Sequence, residues 1–271
     1  MEHHVTWLTH FVNQYLGWLA LALLDALHIR PASRETPIPE FVVMGWVVFA
    51  VAAVFVLWLK RRLSVDRPGA TQQVVELLIT NPLGFGIRDL LDSNVGHQGR
   101  RYLALIGSIS IFILLSNLIS VIPVFTSPTG HPSVPLACAL ITFVYFNWKG
   151  VQAHGVGGYL KHFAGPVWWM SWLIFPVEVI STTARIVSLT LRLWANMFSS
   201  ELVYMTILGL LLNPTIHLWE KLPAVAVFVG IFTATIPVLF VLLHIFVAVV
   251  QALVFTILPT VYLGIATAEE H

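Results

Sequence analysis

Residues 222–268 read LPAVAVFVGIFTATIPVLFVLLHIFVAVVQALVFTILPTVYLGIATA, with no Asp, Glu, Lys or Arg anywhere in the run. A helix needs about 20 apolar residues to cross a hydrocarbon core of about 30 Å. At about 1.5 Å per residue, this run is roughly twice that thickness. It is either a hairpin or one long helix lying steeply tilted. No cluster of turn residues breaks it, only the single prolines Pro237 and Pro259 in its interior. A tilted or bent helix is therefore expected. Residues 167–212, with Pro176, pose the same choice and take the same reading.

Working outward, residues 41–59 carry no charge and are closed by Lys60-Arg61-Arg62. Residues 102–148 also lack acidic and basic side chains, but Thr126-Ser127-Pro128-Thr129-Gly130-His131-Pro132 breaks the run. That makes a helical hairpin with arms near 102–125 and 134–148, the second arm rather short. Between the first span and this hairpin, residues 72–94 carry Val74, Val75, Leu78 and Ile79, a break at Asn81-Pro82, then Ile87, Leu90 and Leu91. The pattern predicts a broken amphipathic segment on the membrane surface. The first residues repeat apolar pairs every four positions, from Trp7-Leu8 to Leu23-Leu24. This stretch either lies in the interface or forms a sixth span. No cationic region precedes it, so it does not read as a cleaved signal peptide.

Composition agrees with the spans. Of 271 residues, 58% are hydrophobic and 10% are charged, against about 25% charged in a soluble domain. This excludes a soluble enzyme and a disordered chain. Fourteen basic against 13 acidic residues leave no cationic field for nucleic acid. The lone Cys138 excludes an intramolecular disulfide and a thiolate metal cage built by this chain. No Gly-rich phosphate loop is present, so nucleotide chemistry is not expected, nor is any metal or cofactor. The expected fold is an all-α polytopic membrane protein with about five transmembrane helices, the last two long and tilted, plus surface amphipathic segments. Residues 1–40 would be an extracytoplasmic or interfacial segment and 41–271 a single membrane domain.

Five spans with an external N-terminus put Lys60, Arg61, Arg62, Arg67, Arg88, Arg100, Arg101, Lys149 and Lys161 on one side, and Arg30, Arg34 and Lys221 on the other. The positive-inside rule then places the C-terminal Glu269-Glu270-His271 in the cytoplasm.

A charge at the centre of a spanning helix costs about 2.5 to 3.5 kcal/mol on insertion scales, so intramembrane charges mark function. The fourth span holds Glu178, Arg185, Arg192 and Glu201. At 100° per residue, Glu178, Arg185, Ser188, Arg192 and Asn196 share one broad face, whereas Glu201 lies about half a turn round from Arg192. Arg185 reads as a structural ion pair or a snorkelling cation. Arg192 has no acidic residue within four positions, and its guanidinium stays charged. It implies an acidic partner on another helix, another subunit or a ligand. In the last span His244 and Gln251 share a face. If the last two spans run antiparallel, Glu201 shares a depth with His244, and Arg192 with Gln251. Acid, imidazole, amide and hydroxyl groups staged through a membrane suit a proton path.

The run Ser188-Leu189-Thr190-Leu191-Arg192-Leu193-Trp194-Ala195-Asn196-Met197, with Glu201 following, resembles the signature of subunit a of the F-type rotary ATP synthases. His244 to Gln251 with Thr260-Val261-Tyr262-Leu263 resembles that family's last helix. Asn117-Leu118-Ile119-Ser120-Val121-Ile122-Pro123 resembles its hairpin motif, as does Lys149-Gly150 with Gly155-Val156-Gly157-Gly158. Trp194 stands where a Phe is common and Ser199-Ser200 replaces a small pair. Ser120 stands where some members carry an acid, so no proton-delivery role transfers to it.

The resemblance implies a non-catalytic stator subunit beside a rotating ring of c subunits, with ATP chemistry on partner subunits. It implies two proton half-channels, with Arg192 separating them and facing the ring carboxylate. Asn196 and Gln251 would orient Arg192 or its water. Glu201 and His244 would line the outer half-channel and Glu178 the cytoplasmic one, with Ser188 and Arg185 secondary. The implied partners are the c ring, the b-subunit peripheral stalk, the other subunits of the synthase and the lipid bilayer, with no nucleic acid. The implied location is a bacterial inner membrane. An alternative is a secondary transporter holding an anion on the intramembrane Arg. That class usually shows repeated halves, which this chain lacks. A membrane haem protein would need axial His ligands at depth, and only His244 is placed there.

Overall fold

The computed structural model describes residues 6–28, 30, 33, 35–65, 67–81, 84, 86–122, 125–164, 168–221 and 223–267. Among positions singled out above, Arg34, Pro82, Pro123 and the terminal Glu269-Glu270-His271 lie outside these.

The described chain forms eight α-helices: α1 (Trp7–Ala26), α2 (Glu40–Lys60), α3 (Ala70–Ile79), α4 (Ile87–Val95), α5 (Leu103–Leu118), α6 (Ser133–Ala164), α7 (Ser171–Lys221) and α8 (Pro223–Thr267). Among the described residues, five stretches are long and apolar enough to cross a membrane: Glu40–Lys60, Leu103–Val121, Ser133–Tyr159, Ser171–Leu210 and Thr235–Thr267. The fold is thus an all-α polytopic membrane protein. The choice left by the two longest runs resolves to continuous helices, α7 of 51 residues and α8 of 45. Pro237 and Pro259 lie inside α8 without ending it.

Helical periodicity explains the packing. On α5 the buried positions Ile106, Ser110, Ile113 and Asn117 recur every three or four residues. On α8 the buried stripe Ala248, Ala252, Phe255 and Leu263 uses small residues that let helices approach closely. Ile113, Cys138, Ala139, Leu189, Leu193, Met197, Ala252 and Phe255 close one core between α5, α6, α7 and α8. A second core joins Ile87 and Leu91 of α4 to Tyr102, Ile106, Phe146, Tyr159, Leu263 and Ala266. There Gly264 is required, because a Cβ would overlap the Asn94 carbonyl. The broken helical segment expected over 72–94 is formed by α3 and α4, with Thr80 and Asn81 following the first of them.

The hairpin's second arm is longer than the expected 134–148. It continues past Trp148 and breaks at Gly155, whose φ of 72° and ψ of 166° are open essentially to glycine alone. Beyond the break Tyr159 folds back so that its ring covers Gly150 and its hydroxyl donates to Asn147 Oδ1 at 2.9 Å. This gives the Lys149-Gly150…Gly155 motif a physical reason.

Helix α1 turns its polar stripe inward. Thr9, Asn13 and Gly17 are buried, and Asn13 clamps Ile38 by donating to its carbonyl at 3.0 Å and accepting its N–H at 2.9 Å. Trp7, Phe11, Tyr15, Trp18 and Leu23 point away from the protein.

Candidate functional site

Helices α7 and α8 pack side by side along much of their length, from Ser200 and His244 at one end, called the outer end below, to Arg185 and Tyr262 at the other. They share the register read from the sequence: Ser200 of α7 meets His244 of α8. Between them and the end of α5 lies a cavity of about 280 Å³, lined by Ser120, Asn196, Ser199, Ser200, Glu201, Tyr204 and His244 among others.

Both nitrogens of His244 are occupied. Nδ1 lies 2.9 Å from Ser200 Oγ, and Nε2 lies 3.0 Å from Ser120 Oγ and 3.1 Å from the Asn117 carbonyl. The Asn117 carbonyl can only accept, so Nε2 carries a proton whenever it bonds there. The Ser200 hydroxyl has two acceptors, Nδ1 and the Met197 carbonyl at 3.0 Å. With a neutral ring it donates to Nδ1. With a protonated ring it turns to Met197 and accepts from Nδ1. One hydroxyl rotation therefore serves both charge states without leaving a buried group unpaired.

Glu201 opens onto the same cavity, and its Oε1 accepts the Ser127 N–H at 3.1 Å. No hydrogen bond or ion pair joins Glu201 to His244. Shared depth brings acid and imidazole into one chamber, but Ser200 occupies the imidazole's near side.

Arg192 sits outside this chamber. Its side chain is exposed, in an open groove of about 750 Å³ on α7 lined by Val179, Ile180, Thr183, Ala184, Val187, Ser188 and Leu191. It makes no hydrogen bond or ion pair with any described residue. Gln251 is half-buried and Asn196 faces the outer cavity; neither bonds to Arg192. At the other end Arg185 Nη2 lies 3.8 Å from Glu178 Oε1, and its guanidinium stacks 4.7 Å over the Tyr262 ring. Arg185 thus has both an acidic neighbour and an aromatic one. Among the described residues no cluster of His, Cys, Asp and Glu could hold a metal.

Sequence reasoning missed Ser200, Ser127, Thr129 and Gly130, and it gave Ser120 no part. Ser120 reaches His244 from a position 124 residues away. The available signal was a run of hydroxyl residues, Thr126, Ser127 and Thr129, in an otherwise apolar hairpin.

These features define a multi-pass membrane protein with intramembrane polar groups on two long adjacent helices, one of them carrying a guanidinium with no hydrogen-bond or ion-pair partner among the described residues. The sequence model described as "ATP synthase A chain" matches residues 42–264. The chain belongs to that family. It is 38% identical to ATP synthase subunit a of Koribacter versatilis, covering 99% of each chain. It is 39% identical to that of Solibacter usitatus, covering 96% of this chain and 99% of the relative. It is 38% identical to that of Desulfosudis oleivorans over 85% and 89%.

Proposed function

We propose that the chain is the ion-translocating stator subunit of the membrane sector of an F-type ATP synthase, working against a rotating ring of c subunits. It is not itself a catalyst; ATP chemistry lies on partner subunits, and a b-subunit stalk holds it in place. The observation that carries this reading is Arg192, a permanent cation exposed on an open groove within an apolar helix, with no acidic partner among the described residues. An unpaired charge there is costly unless a neighbouring molecule supplies the counter-charge. A ring carboxylate passing the groove supplies it.

The chemistry follows from the layout. A carboxylic acid brought beside a fixed guanidinium gives up its proton, because the opposite charge favours the anion. Once it leaves the groove and faces lipid, it takes up a proton again, because burying the anion is costly. The outer chamber, with Glu201, His244, Ser200 and Asn196, supplies or receives protons on one side. Glu178, with Arg185 and Ser188, serves the cytoplasmic side. Arg192 stands between the two and repels a proton that would cross directly, while Asn196 and Gln251 orient it or its water. An Arg on an outward-facing groove, rather than in a closed central chamber, disfavours the transporter alternative.

Residues 1–40 belong to the outer side. The three-way division of α1 into an inward polar stripe, an apolar face and a ridge of His10, Gln14 and Asp25 suits a helix lying in the membrane interface. The membrane is a bacterial inner membrane, with the C-terminus cytoplasmic.

The test is ATP-driven acidification of inverted membrane vesicles carrying Arg192→Ala in an otherwise intact complex, with assembly measured by co-purification of the ring. The expected result is an assembled complex that does not pump. Near-normal pumping would remove Arg192 from the mechanism and the reading with it.

A further inference from the structure

The turn between α5 and α6 does more than reverse the chain. Its Ser127 N–H donates to Glu201 Oε1 at 3.1 Å. The Ser127 hydroxyl donates to the Ser116 carbonyl at 2.8 Å and lies 2.6 Å from Thr129 Oγ1. Thr129 Oγ1 in turn donates to Asn117 Oδ1 at 2.6 Å. Two hydroxyl protons make two of these three contacts at a time, so whichever way they rotate the turn stays bonded to the end of α5. These groups are buried, with Thr129 and Asn117 fully so, and buried hydroxyl bonds of this kind hold a geometry tightly.

The outer flank is held as well. Thr126 Oγ1 donates to Glu40 Oε1 at 3.2 Å, and the His131 ring stacks on Phe41 with centroids 3.9 Å apart and planes 6° apart. The head of α2 therefore backs the turn from outside while α5 holds it from beneath. The same Asn117 that latches Thr129 offers its carbonyl to His244 Nε2.

Gly130 completes the arrangement. A Cβ built there would lie 3.2 Å from Glu201 Oε2, tighter than ordinary packing, and 3.7 Å from Oε1, an ordinary contact. Its backbone does not adopt the left-handed region, so conformational freedom does not account for the glycine; clearance over the carboxylate does. The two oxygens of Glu201 are thereby made unequal. Oε1 is tied to a fixed amide, whereas Oε2 makes no hydrogen bond to a described residue.

We propose that the 126–131 turn is a positioning device for Glu201: the Ser127 amide fixes Oε1, Thr129 latches that amide in place, and Gly130 keeps Oε2 clear as the oxygen that exchanges protons with the outer chamber. The turn takes up no proton itself. This rests on the reading of Glu201 as a group of the outer path.

Proton flux would be measured by ATP-driven acidification in vesicles of the intact complex, with ring co-purification as the assembly control. Thr129→Val, which keeps the shape and removes the hydroxyl, is expected to slow flux about three- to tenfold, the loss of one buried hydrogen bond. Thr129→Ser should restore it to within about twofold. Gly130→Ala should slow flux by a comparable factor in the native background. It should cost much less beside Glu201→Asp, whose shorter carboxylate withdraws from the added methyl.

Native flux in both Thr129→Val and Gly130→Ala overturns the proposal, as does simple additivity of Gly130→Ala with Glu201→Asp. If Thr129→Val does not assemble, Gly130→Ala carries the test, because it removes no bond. Failure of both to assemble makes the turn a folding element only and overturns the proposal too. Glu201→Gln separates the two readings. Native flux there removes Glu201 from the path, whereas impaired flux in Glu201→Gln with native flux in the turn variants rejects the positioning role alone.

Discussion

The two ends of α7 handle their polar groups in opposite ways. At one end Ser200 and Glu201 line a half-open cavity, and the partners come from the chain itself: a Ser127 amide for the acid, and Ser120, Ser200 and Asn117 for the facing imidazole. Toward the middle and the opposite end, Ser188 and Arg192 lie in an open groove, and the Glu178–Arg185 pair keeps 40% and 32% of its side-chain surface exposed. The outer end is pre-organised before any partner arrives; the groove is half a site. Substitutions at the outer end should therefore act through geometry the chain already holds, and those in the groove through what the chain is missing.

The largest effect is expected at Arg192. Arg192→Lys keeps the charge but loses the planar fork and its five donors. If the groove meets a carboxylate, lysine should fail to restore pumping to more than a few per cent of native, with assembly intact. Full activity with lysine would mean that the groove needs only a positive charge, and the contrast between a pre-organised end and an incomplete one would blur.

His244→Ala comes next. It removes the one side chain in the outer chamber whose two protonation states are both accommodated by its neighbours, and flux is expected to fall more than tenfold with the ring still co-purifying. Unchanged pumping would take the imidazole off the path. Ser200→Ala and Ser120→Ala sharpen the same point at smaller cost, each about two- to tenfold for one lost hydrogen bond. Ser200→Ala should be the worse of the two. Ser120 shares Nε2 with the Asn117 carbonyl, whereas Ser200 alone meets Nδ1 among the described residues. Equal losses would count against the hydroxyl rotation as the means of carrying both charge states.

Much of this was legible in the sequence, for identifiable reasons. A guanidinium inside an apolar run must declare itself, so the presence of Arg192 and Arg185 could be read from hydropathy alone, but the approach of Arg185 to Glu178 and Tyr262 could not. The register of α7 against α8 followed from helix geometry, because two long neighbouring antiparallel helices leave little freedom; Ser200 does meet His244. The same register overstated the Glu201–His244 relation, since it fixes depth and not which side chain arrives first. Ser120 and Asn117 were hidden because their roles are contacts made across 124 and 127 residues of chain. Ser127 and Thr129 were hidden for another reason. A turn that merely reverses the chain and one that holds a carboxylate use the same Ser, Pro, Thr and Gly. Gly155 was quoted in a motif, but its break became visible only when Tyr159 was seen lying over Gly150.

The smallest expected effect tests the open end directly. Glu178 and Arg185 stand 3.8 Å apart with 40% and 32% of their side-chain surfaces exposed, and Arg185 also rests on Tyr262. An ion pair that open is worth about 0.2 to 1 kcal/mol in water-facing settings, and stacking on the ring holds Arg185 in place even when its acid is removed. Glu178→Gln and Arg185→Gln should therefore couple weakly, with the double variant close to the product of the singles in proton flux. Most of the Glu178 loss should then come from the missing titratable group on the cytoplasmic side rather than from a broken pair. Strong coupling, with the double variant no worse than either single, would show that the pair is closed off in the assembled complex. The groove would then be sealed by its partner as far as Glu178, and the open end would be open only in the isolated chain.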